Sequence, residues 1–125
     1  MNFADSPVML SVPAQPSYAR PVRMLAANLA VLAGLSVDDV EDARMAAEEA
    51  FVWCCATKPD TFEANFAVSE GALEMEFLFG DEQPAEGDQT STYAELILTS
   101  VCDECTIDHE AGTLRLKKIA GALDA

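Results

Sequence analysis

Phe62-Glu63-Ala64-Asn65-Phe66-Ala67-Val68-Ser69-Glu70-Gly71-Ala72-Leu73-Glu74-Met75-Glu76-Phe77-Leu78-Phe79 is where the chain changes period. Phe62, Ala64, Phe66 and Val68 alternate with Glu63, Asn65 and Ser69; Leu73, Met75, Phe77 and Phe79 alternate with Glu74 and Glu76. A repeat of two belongs to a strand, whose successive side chains point to opposite faces. Gly71 lies between the two runs. The stretch therefore predicts an antiparallel hairpin with one apolar and one acidic face. The Met and Phe stripe over 73–79 reads as core.

N-terminal to this hairpin the spacing is helical. Val22, Leu25, Leu29 and Leu32 share a face of a helix from Tyr18 to Ala33. Pro21 falls in its opening turn, where proline is tolerated, and Gly34 ends it. Ser36 caps a second helix, with Asp38 and Asp39 in its first turn complementing the dipole. That helix runs to about Thr57, before Pro59, and its buried stripe is Val40, Ala43, Ala47, Ala50, Phe51 and Cys54. Before both helices, Val8-Met9-Leu10-Ser11-Val12, ended by Pro13, reads as a first strand.

C-terminal to the hairpin, Gly80 to Gln89 is polar and acidic and predicts the one long irregular loop. Such a loop is either solvated or a partner-binding element. Ser91 to Val101 is helical through Ala94, Leu96, Ile97 and Leu98. Cys105–Asp108 and Thr113–Lys117 form a second hairpin across Glu110-Ala111-Gly112. The order strand, helix, helix, strand, strand, helix, strand, strand predicts an α+β two-layer sandwich. Its sheet is mixed and mostly antiparallel, covered on one face by about three helices. Residues 1–125 read as one domain with its core over about 8–120.

Half of the 125 residues are hydrophobic, enough for a packed core and too many for general disorder. Seven Lys and Arg stand against 22 Asp and Glu, a net charge of −15. Phosphate backbones and anionic lipid repel such a surface, so neither nucleic acid nor membrane is expected as a partner. With no basic region leading into an apolar stretch at Met1–Asp5, a cytoplasmic protein is predicted. Cys54 and Cys55 are adjacent in a helix and point about 100° apart. Cys102-Asp103-Glu104-Cys105, with His109 four residues on, can be read as a zinc half-site. The reading preferred here is a pair of buried thiols, since cysteine is a small hydrophobe and the two acids within the motif oppose a lowered thiol pKa. His109, before the Glu110-Ala111-Gly112 turn, is expected on the surface.

Several pieces together carry a resemblance. They are Leu10-Ser11-Val12-Pro13-Ala14 before a helix with Arg20, Val22 and Arg23; Leu35 to Ala43 entering the second helix; Met45-Ala46-Ala47-Glu48-Glu49-Ala50; and Val101–Cys105 followed by Gly112–Leu116. In order and spacing they resemble the anti-sigma-factor serine/threonine kinases, which have the Bergerat fold of the histidine-kinase and gyrase ATPases. The resemblance covers about residues 8–120. In that family the second helix carries a glutamate and, four residues on, an asparagine, so both share a face. The carboxylate orients the nucleophile and the amide oxygen holds the magnesium on the phosphates. By this resemblance Glu49 is the catalytic glutamate. Trp53 stands at the asparagine, and an indole offers only a donor. Thr57 stands where a histidine often follows.

The family also has an Asp-x-Gly-x-Gly run in which the aspartate accepts from the adenine amino group. Aligned without a gap, Phe79 takes the aspartate's position and Asp81 the first glycine's. A shift of two residues makes Asp81 the nucleotide-binding aspartate, and Gln83 and Ala85 then stand at the glycines. The glycine-rich phosphate cradle before the last helix is reduced to Gly87, between Glu86 and Asp88. No resident cofactor is expected, and ATP with magnesium enters only through the resemblance.

Two functions follow. One is an anti-sigma-factor-like regulator, homodimeric by resemblance. It would bind a sigma factor or a phosphorylatable antagonist domain through protein–protein contact, its ATP site decayed. The alternative is a working ATP-dependent serine/threonine kinase that phosphorylates such an antagonist, with Glu49 as base and Asp81 on adenine. A metal-binding module built on Cys102 and Cys105 is a third, weaker reading.

Overall fold

The computed structural model describes residues 7–82 and 89–121. In chain order the elements are β1 (Val8–Pro13), α1 (Ala19–Leu32), α2 (Val37–Ala56), β2 (Thr61–Ser69), β3 (Ala72–Leu78), α3 (Gln89–Val101), β4 (Glu104–Asp108) and β5 (Thr113–Ile119), with a short 3-10 turn at Pro16–Tyr18 before α1. The expected element order is the observed one. Residues 83–88, which include most of the expected acidic loop, lie outside the described residues.

The strands form one five-stranded sheet in the order β1-β2-β3-β5-β4. All four pairings are antiparallel, which corrects the expectation of a mixed sheet. The reason is topological. β1 leaves through two helices joined by a short turn, so the chain reverses twice and returns as β2 running against β1. After β3, α3 leads to β4 at the sheet edge, and β5 folds back into the gap between β3 and β4. The one pair that would have been parallel is thus kept apart by an intervening strand.

α1 and α2 pack together over one face of the sheet, with α3 alongside α2. Phe62, Phe66, Leu73, Met75, Phe77, Leu114 and Leu116 point into this layer and are essentially inaccessible. Phe51 of α2 meets Phe62 edge-on at 4.8 Å between ring centroids. The alanines of α2 (Ala43, Ala46, Ala47 and Ala50) are fully buried and let the helix approach closely. Ser36 caps α2 as expected: its hydroxyl accepts from the Asp39 amide at 3.2 Å. In α1 the buried stripe is Val22, Ala26, Leu29 and Ala30, whereas Leu32 is 74% exposed. A helix turns 100° per residue, so Leu32 stands about 60° beyond Leu29 on the side away from Val22, Ala26 and Ala30, outside the narrow stripe that faces the sheet.

The acidic outer face of the hairpin is answered by β5. Arg115 Nε donates to Glu76 at 2.9 Å, Asn65 donates to the other oxygen of Glu76 at 3.2 Å, and Lys117 lies 3.6 Å from Glu74 and 3.7 Å from Glu104. Solvent-facing pairs of this kind contribute about 0–1 kcal/mol each, against about 2–3 kcal/mol for each buried Phe. The apolar layer therefore supplies the stability and the ion pairs help select the register. At the hairpin tip Gly71 has φ +82°. Its amide donates to the Ala33 carbonyl at the end of α1 and its carbonyl accepts from Ala120, both at 2.8 Å. That turn ties the helical layer to the sheet.

Candidate functional site

Glu49 and Trp53 are one turn apart on α2, and the residues the resemblance assigns to nucleotide chemistry can be followed from there. Trp53 is 4% exposed. Its indole meets the Phe79 ring edge-on, with centroids 4.9 Å apart and planes at 83°. Phe79 follows directly on β3 and packs edge-on against His109 at 5.8 Å. The two positions that in the family hold the magnesium ligand and, without a gap, the adenine acceptor are thus both aromatic here and touch each other. Such a pair is worth about 0.5–1.5 kcal/mol beyond the area it buries. An indole supplies no oxygen to a metal, so the residues at this position do not fit a magnesium–ATP site, and no catalytic step is derived through one.

Glu49 is half-buried and its carboxylate makes no hydrogen bond or ion pair among the described residues. Its neighbour Glu48 is the one that takes a partner, Arg23 of α1 at 3.0 Å. Asp81 is exposed, one residue beyond Gly80. It lines an open cleft of about 500 Å³ with Lys58, Pro59 and Glu82, and a second of about 230 Å³ with His109 and the β4–β5 turn. Glu49 lines neither, so the two candidate site residues do not share one of these clefts. Gln83, Ala85 and Gly87, the other positions compared with the family's glycine motifs, lie outside the described residues.

Thr57, at the family's histidine position, is 2% exposed and joins two segments. Its hydroxyl donates to the Cys54 carbonyl, closing the end of α2, and accepts from the Gly80 amide at 2.7 Å. The Thr57 carbonyl accepts from the Glu82 amide at 3.2 Å. Gly80 is held so close that a Cβ would lie 2.3 Å from the Thr57 oxygen. The chain reverses just after Thr57 through Lys58, which has φ +52° and whose ammonium lies 3.3 Å from Glu82.

The four cysteines are free thiols. Burial pushes the Cys102 thiol up to about 12, with Cys105 and Asp103 adding to it against the opposing charge of Lys118. Burial also raises Cys54, Cys55 and Cys105. Of the two acids inside the motif, Asp103 acts on Cys102 in the expected direction, but desolvation is the larger cause. Among the described residues no group of three or more His, Cys, Asp and Glu side chains is gathered that could hold a metal ion. Zinc sites need three or four ligands. His109 is exposed, as expected.

A polar cluster that the sequence reading missed lies at the other end of α2. Lys118 of β5 faces the helices, its side chain 10% exposed. Its ammonium donates to Asp42 at 3.1 Å and to the Val101 carbonyl at the end of α3 at 2.9 Å, and lies 3.4 Å from Asp39. One carboxylate oxygen of Asp39 is buried without a hydrogen-bond partner among the described residues. Burial pulls the Lys118 pKa down, but the hydrogen bond and charge of Asp42, with Asp103 and Asp39, outweigh it and leave it raised. The only sequence signal was that position 118 continues the inward register of Leu114 and Leu116.

Compared with family models and with curated protein sequences, the chain matches none of either. None of the described helices is long and apolar enough to cross a membrane.

Proposed function

We propose that this chain is an anti-sigma-factor-like regulator. It works by protein–protein binding, on a histidine-kinase-like ATPase scaffold of the Bergerat type whose nucleotide site has been filled by its own side chains. The observation that carries the reading is the Trp53–Phe79 contact: two positions of nucleotide chemistry, far apart in sequence, are both aromatic and pack on one another. A chain that needed magnesium would keep an oxygen ligand on α2; this one has an indole there. By the same resemblance the partner is a sigma factor or a phosphorylatable antagonist domain, the assembly a homodimer and the location the cytoplasm.

Nucleotide binding tests the reading. A ligand present at 100 times its dissociation constant adds about 2.7 kcal/mol of stability. Millimolar Mg-ATP is expected to leave the melting temperature and the Trp53 fluorescence unchanged. A clear shift that Asp81→Asn abolishes would overturn the reading in favour of a working serine/threonine kinase.

A further inference from the structure

α3 does not bury all the apolar residues its pattern promised. Ala94 and Leu98 are inaccessible, but Leu96 is 62% exposed and Tyr93 68%. Beside them on α2, Met45 is 42% exposed. These three, with Ile97 and Val101, line an apolar groove of about 280 Å³ between α2 and α3. Ser100 in its lining turns its hydroxyl back to the Leu96 carbonyl at 2.7 Å, so it offers the groove little polarity. Scattered exposed apolar residues need no explanation, but these are contiguous and lie along a trough between two helices.

The α2 edge of the trough is acidic. Glu41 and Glu49 lie one turn before and one turn after Met45, and Asp38 lies a further turn back on the same side. Glu41 is engaged by Arg44 at 2.8 Å, whereas Glu49 has no partner among the described residues. A trough between two helices accepts a third helix, which offers residues at i, i+3, i+4 and i+7. With acids along one edge and a chain of net charge −15 behind them, the complementary ligand is basic.

We propose that the α2–α3 groove docks an amphipathic helix of a partner protein, with an apolar stripe seated on Met45, Leu96 and Ile97 and a Lys or Arg edge against Glu49. Glu49 is then an interface acid, not a base. The proposal rests on the binding reading above, yet the two fail separately, because the nucleotide titration does not involve this groove's ligand.

The probe is a pair of synthetic helical peptides with the same leucine stripe, one edged with lysine and one with glutamate. Each is titrated into isotope-labelled protein and followed by amide chemical shifts. The lysine-edged peptide is expected to bind, to move resonances around Met45, Glu49 and 93–101, and to weaken with salt. Leu96→Asp should weaken it by about tenfold or more while leaving the melting temperature unchanged, since Leu96 is exposed. Glu49→Gln should weaken it and flatten the salt dependence. Equal binding of the glutamate-edged peptide, or no binding of either, overturns the proposal. So does dimerisation that Leu96→Asp abolishes in a protein the peptide does not bind, which would give the groove to a second copy of the chain.

Discussion

Gly80 and Gly34 separate two reasons for a glycine. A methyl group at Gly80 would stand 2.3 Å from the Thr57 carbonyl oxygen and 2.7 Å from the Pro59 nitrogen, backbone atoms that have no rotamer to escape into. Gly34 has φ +80° and nothing within 4 Å of its missing Cβ. Gly34→Ala therefore costs only the left-handed conformation, about 1–2 kcal/mol. Gly80→Ala instead drives a methyl into backbone atoms, breaks the hydrogen bond to Thr57 and forces the turn apart, about 3 kcal/mol or more. Urea unfolding of the two variants is expected in that order, and the reverse order would reject the steric account. In sequence Gly80 looks like the opening of a polar loop, because the atom that makes it obligatory belongs to the end of α2. Trp53 and Phe79 were each legible as departures from a pattern; that they meet was not, since nothing local joins them.

Among the elements, α2 and the β2–β3 hairpin were readable because their signals are local. A serine before two aspartates is a capped helix start, and alternation about a glycine is a hairpin. Ser36→Ala is expected to cost about 1 kcal/mol of stability by loss of the cap. Ser36→Asp should restore most of it; a variant as stable as the parent in the alanine case would mean that tertiary packing alone holds the helix start. The antiparallel hairpins were legible, but the strand order and the lack of any parallel pair were not, because they depend on where β5 inserts rather than on any strand's own residues. The spacing groups Leu32 with the apolar face of α1 and counts Leu96 in the apolar pattern of α3, and both face solvent. Their helices are covered on one narrow stripe only, and residue type does not say how wide that stripe is. Lys118 was missed for the converse reason: a lysine at the end of a strand reads as solvent, and its burial is made tolerable by groups on other elements, the acids of α2 and the Val101 carbonyl.

For the molecule as a whole, the buried and half-buried ionisable groups set an alkaline limit. The thiol of Cys102 ordinarily ionises near 9.0 and is held up to about 12 in the folded chain. The other three thiols are also raised. Lys118 is raised from 10.5. A group whose folded pKa exceeds its unfolded one contributes fully below the unfolded value and loses that contribution as pH rises toward the folded one. The thiol contribution is thus intact below about pH 9 and falls above it; the Lys118 contribution follows above about pH 10.5. The urea midpoint is expected to hold up to pH 9 and then decline, accompanied by thiolate absorbance as unfolding exposes the cysteines. A midpoint that rises across that range would contradict the placement of these groups.

The Lys118 cluster also bears on timing. Its ammonium is 76 residues later in the chain than Asp42. At ordinary rates of synthesis the acids of α2 leave the ribosome about 4–15 s before their cation does. Through that interval the helix carries two carboxylates with no ammonium to neutralise them where they should sink into the protein. The final docking of α2 is therefore expected to wait for β5, and a nascent chain arrested ahead of Lys118 is expected to be cut by proteases near this junction more readily than the finished molecule.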